Sequence, residues 1–283
     1  MIHEYFIQLL TVISIYTIVV ITLNLSIGFT GLLNLGHMVF FGIGAYASAI
    51  LALHGVPWYF AMLIAGISAC VLGIAIALIT TRLKGDYLAM ATLGLVFIAI
   101  SVSRSWASLT RGALGLPGVP DIIRNNLYYM LFTFAIALLS VFIFHKFVNS
   151  ETGKIFQAIR DDETATAILG KNTYVYKILS MAISTFFAGI AGSLFAHHIN
   201  FVDPTIFELE FFITILAMLI AGGLGSIKGS IAGVFILSIL SESVRFISFS
   251  PALIGAFRDM VFAAALIAIL LFKPRGIFGK VDV

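Results

Sequence analysis

Asn24, Asn34 and His37 are the polar side chains that stand out as candidates for chemistry, and that chemistry is recognition and passage rather than bond making. They fall within Asn24–Ala49, a run with no Lys, Arg, Asp or Glu and with five glycines, Gly28, Gly31, Gly36, Gly42 and Gly44. A run this apolar lies in a membrane, where a polar side chain is costly and turns toward a bundle interior or a wet cavity. Glycine permits broken backbone and close helix contact. The combination predicts the lining of a translocation path, with Asn34, Gly36, His37, Gly42, Gly44 and Tyr46 as candidate residues.

A second kind of chemistry is concentrated in residues 149–174, the most charged stretch of the chain. Phe156, Ile159, Ala165, Ile168 and Leu169 recur there at three- and four-residue steps, the pattern of an amphipathic helix. Asp161, Asp162 and Glu163 precede the short run Thr164 to Leu169, which Gly170 ends. Acids at a helix start and glycine after its end favour one or two short helices here. Their apolar face must bury against the chain's own bundle or against a partner subunit.

Enzymatic signatures are missing from the sequence: no phosphate-binding G-x-x-x-x-G-K-[ST], no H-E-x-x-H, no metal-spaced Cys/His set and no nucleophile elbow. His197 and His198 are neighbours, so they face different sides of a helix, and their place near a helix end predicts interfacial polarity. Most of the acids fall in loops or at helix ends, unlike the buried carboxylates of ion-coupled carriers. Glu242 and Arg245, three apart, are expected to pair. Without a nucleotide site of its own, the chain must draw energy from an ion gradient or a partner.

The elements that hold these residues follow from composition. Of 283 residues, 61% are hydrophobic and 10% charged, with a mean hydropathy of +1.12. A soluble domain carries about 25% charged residues, so this is an integral membrane protein, taken as one transmembrane domain over residues 1–283. The expected fold is all-α: a polytopic bundle of about nine crossings, within roughly eight to ten, with broken or re-entrant segments. The crossings are expected near 5–23, 31–53, 58–80, 86–104, 127–148, 175–197, 208–224, 229–246 and 256–272. The first is expected to be a retained helix rather than a signal peptide, and Cys70 to be small packing. Residues 24–53 are too long for one crossing and predict a short half-helix followed by a helix. A second glycine-rich break falls at 222–229, and a Gly/Pro-rich outer loop at 105–126.

Net charge is +3 and the pI about 9.0. The basic residues cluster in loops, which the positive-inside rule explains without nucleic acid as a partner. Arg82, Lys84, Lys146 to Lys177, Lys228, Lys273, Arg275 and Lys280 share one side, including every lysine. That side is expected to be cytoplasmic, with the C-terminus inside.

Four blocks in order give the sequence a resemblance. They are Asn34-Leu-Gly-His-Met-Val-Phe-Phe-Gly-Ile-Gly-Ala-Tyr46, Leu83 to Gly94, Ala158 to Asn172, and Ala221 to Gly229 with Phe272 to Phe278. The chain resembles the membrane permease subunits of ABC importers for branched-chain amino acids, of the LivM type, over nearly its whole length. The resemblance implies an alternating-access importer in the cytoplasmic (inner) membrane of a bacterium or archaeon. Its implied partners are a second homologous permease, two ATP-binding subunits and an extracytoplasmic substrate-binding protein, with the bilayer around it. No cofactor is implied for this chain, since ATP and magnesium would be bound by the partner subunits. Arg160, Asp161, Asp162, Glu163, Ala165 and Gly170 would then belong to a coupling helix seated in an ATP-binding subunit. The usual Glu-Ala-Ala motif has three residues before its glycine; here four separate Ala165 from Gly170. Urea or short amides, or a sugar or nucleoside, remain alternative solutes, and an ion-coupled carrier acting alone is the more distant alternative.

Overall fold

A computed structural model describes residues 2–80, 83, 85–243 and 251–279. Arg82, Lys84, Arg245 and Lys280, to which the charge argument and the Glu242–Arg245 pairing appealed, lie outside the described residues.

Among the described residues each expected crossing falls on a helix: α1 (Ile2–Asn24), α2 (His37–Leu53), α3 (Trp58–Thr80), α4 (Asp86–Ser105), α6 (Asn126–Asn149), α9 (Thr173–Ile199), α10 (Leu209–Gly222), α11 (Ile227–Ser243) and α12 (Pro251–Phe272). Three shorter helices fill the long loops: α5 (Ala107–Thr110) in one, and α7 (Glu151–Asp161) and α8 (Glu163–Ile168) in the other. Among the described residues five helices are long and apolar enough to cross a membrane, whereas α2 and α10 are shorter apolar helices.

Polar residues inside these apolar helices are satisfied locally. Thr11, Ser14, Thr17 and Thr22 of α1 each return their hydroxyl to a carbonyl three or four residues back. That bond keeps a hydroxyl tolerable where no water is present.

Small residues set the tightest seam. In α3, Ala61, Ala65, Ala69, Gly73 and Ala77 are buried at four-residue steps. They face α9, whose buried side includes Ser184, Ala188, Gly189, Ala191, Gly192 and Ser193. α2 packs against both helices. A Cβ on Gly44 would run into the backbone of Gly189, and one on Gly192 into the Phe41 carbonyl. Between membrane helices such contact rests on van der Waals packing, which small residues bring to backbone distance.

The described lysines all lie at one end of the bundle, with α7 and α8. At the far end the loop after α5 pairs with the loop after α9. Strands β1 (Leu116–Pro117) and β2 (Phe201–Val202) run antiparallel, with Leu116 opposite Val202. This tie gives the Gly/Pro-rich loop a fixed seat over the far end of α9.

Candidate functional site

The broken stretch begins where α1 widens. Leu25–Phe29 forms a turn of π-helix, in which Thr30 N–H and the Thr30 hydroxyl both donate to the Leu25 carbonyl, at 3.1 and 2.8 Å. Gly31 has φ +75, a left-handed conformation that ends the helix. Residues 30–36 then run irregularly until α2 starts at His37. The break is where the glycines put it, but the expected half-helix is absent among the described residues. α1 runs on as the wide turn instead, because serines, a threonine and Arg160 take up the backbone and side-chain groups the break would otherwise leave bare.

Asn24 joins the two glycine-rich breaks. Its Oδ1 accepts from Gly225 N–H at 3.0 Å, and its Nδ2 donates to the Ser226 carbonyl at 3.1 Å and to Ser230 Oγ at 2.7 Å. The wide turn is held on its other side by α9. Ser26 meets Ser184 at 3.1 Å, and Thr30 meets Ser180 at 2.7 Å. The sequence reading flagged Asn24 but not the serines; their signal was a pair four residues apart on one helix face.

The candidate path residues are buried and divide into two kinds. Gly36, Gly42 and Gly44 are points of close approach, where a Cβ would meet the Thr92 carbonyl, the Phe207 ring and the Gly189 backbone. Asn34, His37 and Tyr46 are polar groups only partly satisfied. Asn34 Nδ2 reaches Met181 Sδ at 3.7 Å, while its Oδ1 has no partner among the described residues. His37 Nε2 lies 3.0 Å from Thr22 Oγ1, whose proton already goes to the Val19 carbonyl. His37 Nε2 is therefore the donor, and in the neutral ring Nδ1 is left as an acceptor without a partner among the described residues. Tyr46 stacks on Phe207 with parallel rings 5.8 Å apart, and its hydroxyl has no partner among the described residues. The structure thus strings these residues along buried α2 and the break before it, but brings them to no common ligand cavity.

His197 departs from expectation. It is buried rather than interfacial, with Nδ1 at 2.7 Å from the Pro120 carbonyl and Nε2 at 3.0 Å from Ser48 Oγ. A carbonyl only accepts, so Nδ1 carries the proton and Nε2 accepts from Ser48. The irregular far-end loop folds back over the helix end and removes it from the interface. His198 stacks on Tyr129, with ring centroids 6.0 Å apart.

At the lysine end, α7 and α8 divide the amphipathic pattern between them. Phe156 and Ile159 of α7 are buried on the chain's own bundle, Phe156 against Phe147 and Tyr176. Arg160 turns inward and donates to the Gly28 carbonyl at 2.8 Å, with Asp161 Oδ1 at 2.7 Å from its other nitrogen. Asp162 caps α8, its Oδ1 accepting from the N–H groups of Thr164 and Ala165 at 2.8 and 3.0 Å. Glu163 Oε1 lies 2.6 Å from Lys177 Nζ, and Lys177, on α9, is only 6% exposed. Gly170 leaves the hairpin with φ +81. Between these anchors Ala165 is exposed, and Ile168 and Leu169 are 81% and 80% exposed. The buried Lys177 was not flagged from sequence, because only its fold partner distinguishes it from a loop lysine.

Comparison with known proteins adds to this geometry. The family model described as branched-chain amino acid transport system / permease component matches residues 5–270. The high-affinity branched-chain amino acid transport system permease protein LivM of Escherichia coli K12 is 29% identical, over 96% of this chain and 69% of its own length. The probable branched-chain amino acid transport permease protein LivM of Methanocaldococcus jannaschii is 24% identical, over 94% and 91%. The permease LivH of Escherichia coli K12 is 26% identical, over 95% and 93%. No solved structure matches. A multi-pass helical bundle, two linked membrane breaks and a family match over nearly the whole chain agree: the chain belongs to the branched-chain amino acid transport permease family and is a membrane permease component.

Proposed function

We propose that this chain forms the translocation path for branched-chain amino acids in an ATP-driven importer. It would work beside a second, homologous permease, on two ATP-binding subunits that hold ATP and magnesium, and beneath an extracytoplasmic binding protein. The lysine end faces the cytoplasm, as does the C-terminus, in the inner membrane of a prokaryotic cell.

One observation carries this reading: two large apolar side chains, Ile168 and Leu169, project bare from a short helix that is otherwise firmly braced. Exposed apolar groups in an otherwise charged loop mark a contact with another protein. Bracing by Asp162, the Glu163–Lys177 ion pair and Arg160 lets a push on α8 reach the bundle rather than be lost in loop motion. Arg160, Asp161, Asp162, Glu163 and Gly170 then shape the docking element, while Ala165, Ile168 and Leu169 present its surface.

In alternating access, closure of the ATP-binding subunits would move α7 and α8, and through Gly28 the broken stretch ahead of α2. Asn34, His37 and Tyr46 hold buried polar atoms without partners among the described residues, each costing about 1–3 kcal/mol. A second conformation that wets these groups relieves that cost, which makes them the candidate lining of the open path. The glycines at 36, 42 and 44 keep the closed form tight.

The test is uptake of radiolabelled leucine into proteoliposomes holding the complete complex. ATP-dependent uptake is expected, and Ile168→Asp with Leu169→Asp should abolish it while the permeases remain folded. Normal uptake in that variant overturns the docking role.

A further inference from the structure

Two adjoining cavities open toward the far end, of about 480 and 510 Å³, and Tyr16, Glu210, Thr214 and Arg258 line both. Phe195, Ile199 and Phe211 give the first an apolar wall. Volumes of this size suit a small molecule.

The depth of this double cavity follows from helix length. α10 has 14 residues and so rises about 21 Å, against a hydrocarbon core of about 30 Å. Its start, with Glu208 as the capping residue and Glu210 in the first turn, therefore sits below the far membrane surface when its glycine end reaches the lysine-end surface. Ionisable groups at such depth face a wet cavity or pair with one another.

Most of the charged groups here are committed. Asp203 accepts from the Thr205 hydroxyl at 2.6 Å and from Thr205 N–H at 3.2 Å. Glu208 bonds Arg104 at 3.0 Å, and Glu242 accepts from the Tyr5 hydroxyl at 2.6 Å. Two groups differ. The Glu210 carboxylate has no hydrogen bond or ion pair among the described residues. Arg258 forms ion pairs with Glu242 at 3.6 Å and Asp259 at 3.9 Å, both longer than a hydrogen bond, so neither takes up an N–H of its donor fork in a hydrogen bond. A further group, Ser238, lines the second cavity, and its hydroxyl has no partner among the described residues.

An exposed carboxylate without a partner among the described residues, a guanidinium held only by long ion pairs and an aromatic wall around one space match a ligand with three parts. The carboxylate suits an ammonium, the planar fork suits a carboxylate, and the wall suits an apolar side chain. We propose that the double cavity is a transit site for a free α-amino acid zwitterion. Glu210 receives its ammonium, Arg258 its carboxylate, and Phe195, Ile199 and Phe211 its side chain. The choice of an aliphatic amino acid rests on the function proposed above; the recognition of a zwitterion rests on the cavity.

The experiment is photolabelling of the full complex in membranes with a diazirine analogue of leucine, with labelled peptides mapped by mass spectrometry. Label is expected on residues 195–214 and 258–263. Excess leucine should compete, whereas isocaproate, lacking the ammonium, and isoamylamine, lacking the carboxylate, should not. Glu210→Gln and Arg258→Gln should each lower labelling about tenfold, with the complex still assembling. Label elsewhere, equal competition by all three compounds, or full labelling of both variants overturns the site. Leucine uptake by the wild-type complex is scored separately: uptake without labelling here sinks only the site. Labelling here without uptake sinks only the importer reading.

Discussion

Arg160 donates from Nη1 to the carbonyl of Gly28 at 2.8 Å, tying a surface helix to the wide turn that ends α1. Gly31 lies so close that a Cβ there would meet the Arg160 backbone and stem at 3.1–3.3 Å. No other described side chain connects α7 to this turn by a hydrogen bond. Arg160→Met removes a charge-assisted bond worth about 1.5–3 kcal/mol. ATP-driven uptake should fall about tenfold or more, while the ATP-binding subunits still co-purify. Unchanged uptake would show that motion reaches the bundle by another route.

Asn24 serves three partners across the two breaks. Asn24→Ala leaves the Gly225 N–H, the Ser226 carbonyl and the Ser230 hydroxyl short of a bond in a buried place. The expected loss is about 2–4 kcal/mol, from one to two unsatisfied groups at full cost. Unfolding of the detergent-solubilised chain measures it, and a loss below 0.5 kcal/mol, on the order of an ordinary surface change, would contradict the clamp.

The Glu163–Lys177 pair is suited to a double-mutant cycle. Lys177→Met and Glu163→Gln each strand a partner, and Lys177 is the more deeply buried. Each single change should cost about 2 kcal/mol, less than a fully buried pair because Glu163 keeps some water. The double variant should cost less than the sum by about 1–3 kcal/mol. Additive losses would mean the pair contributes nothing beyond its separate side chains.

Gly42 faces the edge of the Phe207 ring, which stacks on Tyr46. Gly42→Leu must displace that ring and disturb the stack, at about 1–3 kcal/mol for overpacking. Transport should be blocked in a chain that still inserts. Wild-type uptake would count against a role for this contact in either the closed or the open path.

How much of this was legible beforehand depends on whether the information was local. The helices are set by runs of apolar residues, and among the described residues one stands at each expected crossing, including the short ones around Gly222 and Gly229. The start of α8 was written in Asp161 to Glu163, and Asp162 is indeed its cap. The break before α2 was marked by Gly31 and Gly36, but its form depends on Ser180, Ser184 and Arg160, more than a hundred residues away. His197 was misplaced for the same reason, since Pro120 and Ser48 reach it only in the folded chain. Glu242 meets Tyr5 and Arg258, from the first and last membrane helices, which no local spacing announces; its expected pairing with Arg245 lies outside the described residues.

The glycine- and alanine-lined seam of α2, α3 and α9 decides how the molecule can move. Helices slide past one another when flexible side chains can exchange neighbours, and a seam that touches backbone to backbone offers none. Shear is therefore confined to other parts of the bundle, and these three helices travel as one stiff block. Rotation is left to places where the chain leaves the helix, among them residues 30–36 and 223–226. Asn24 pins these together, so they act as one compound hinge, at the end of the molecule where Ile168 and Leu169 stand ready to receive a push.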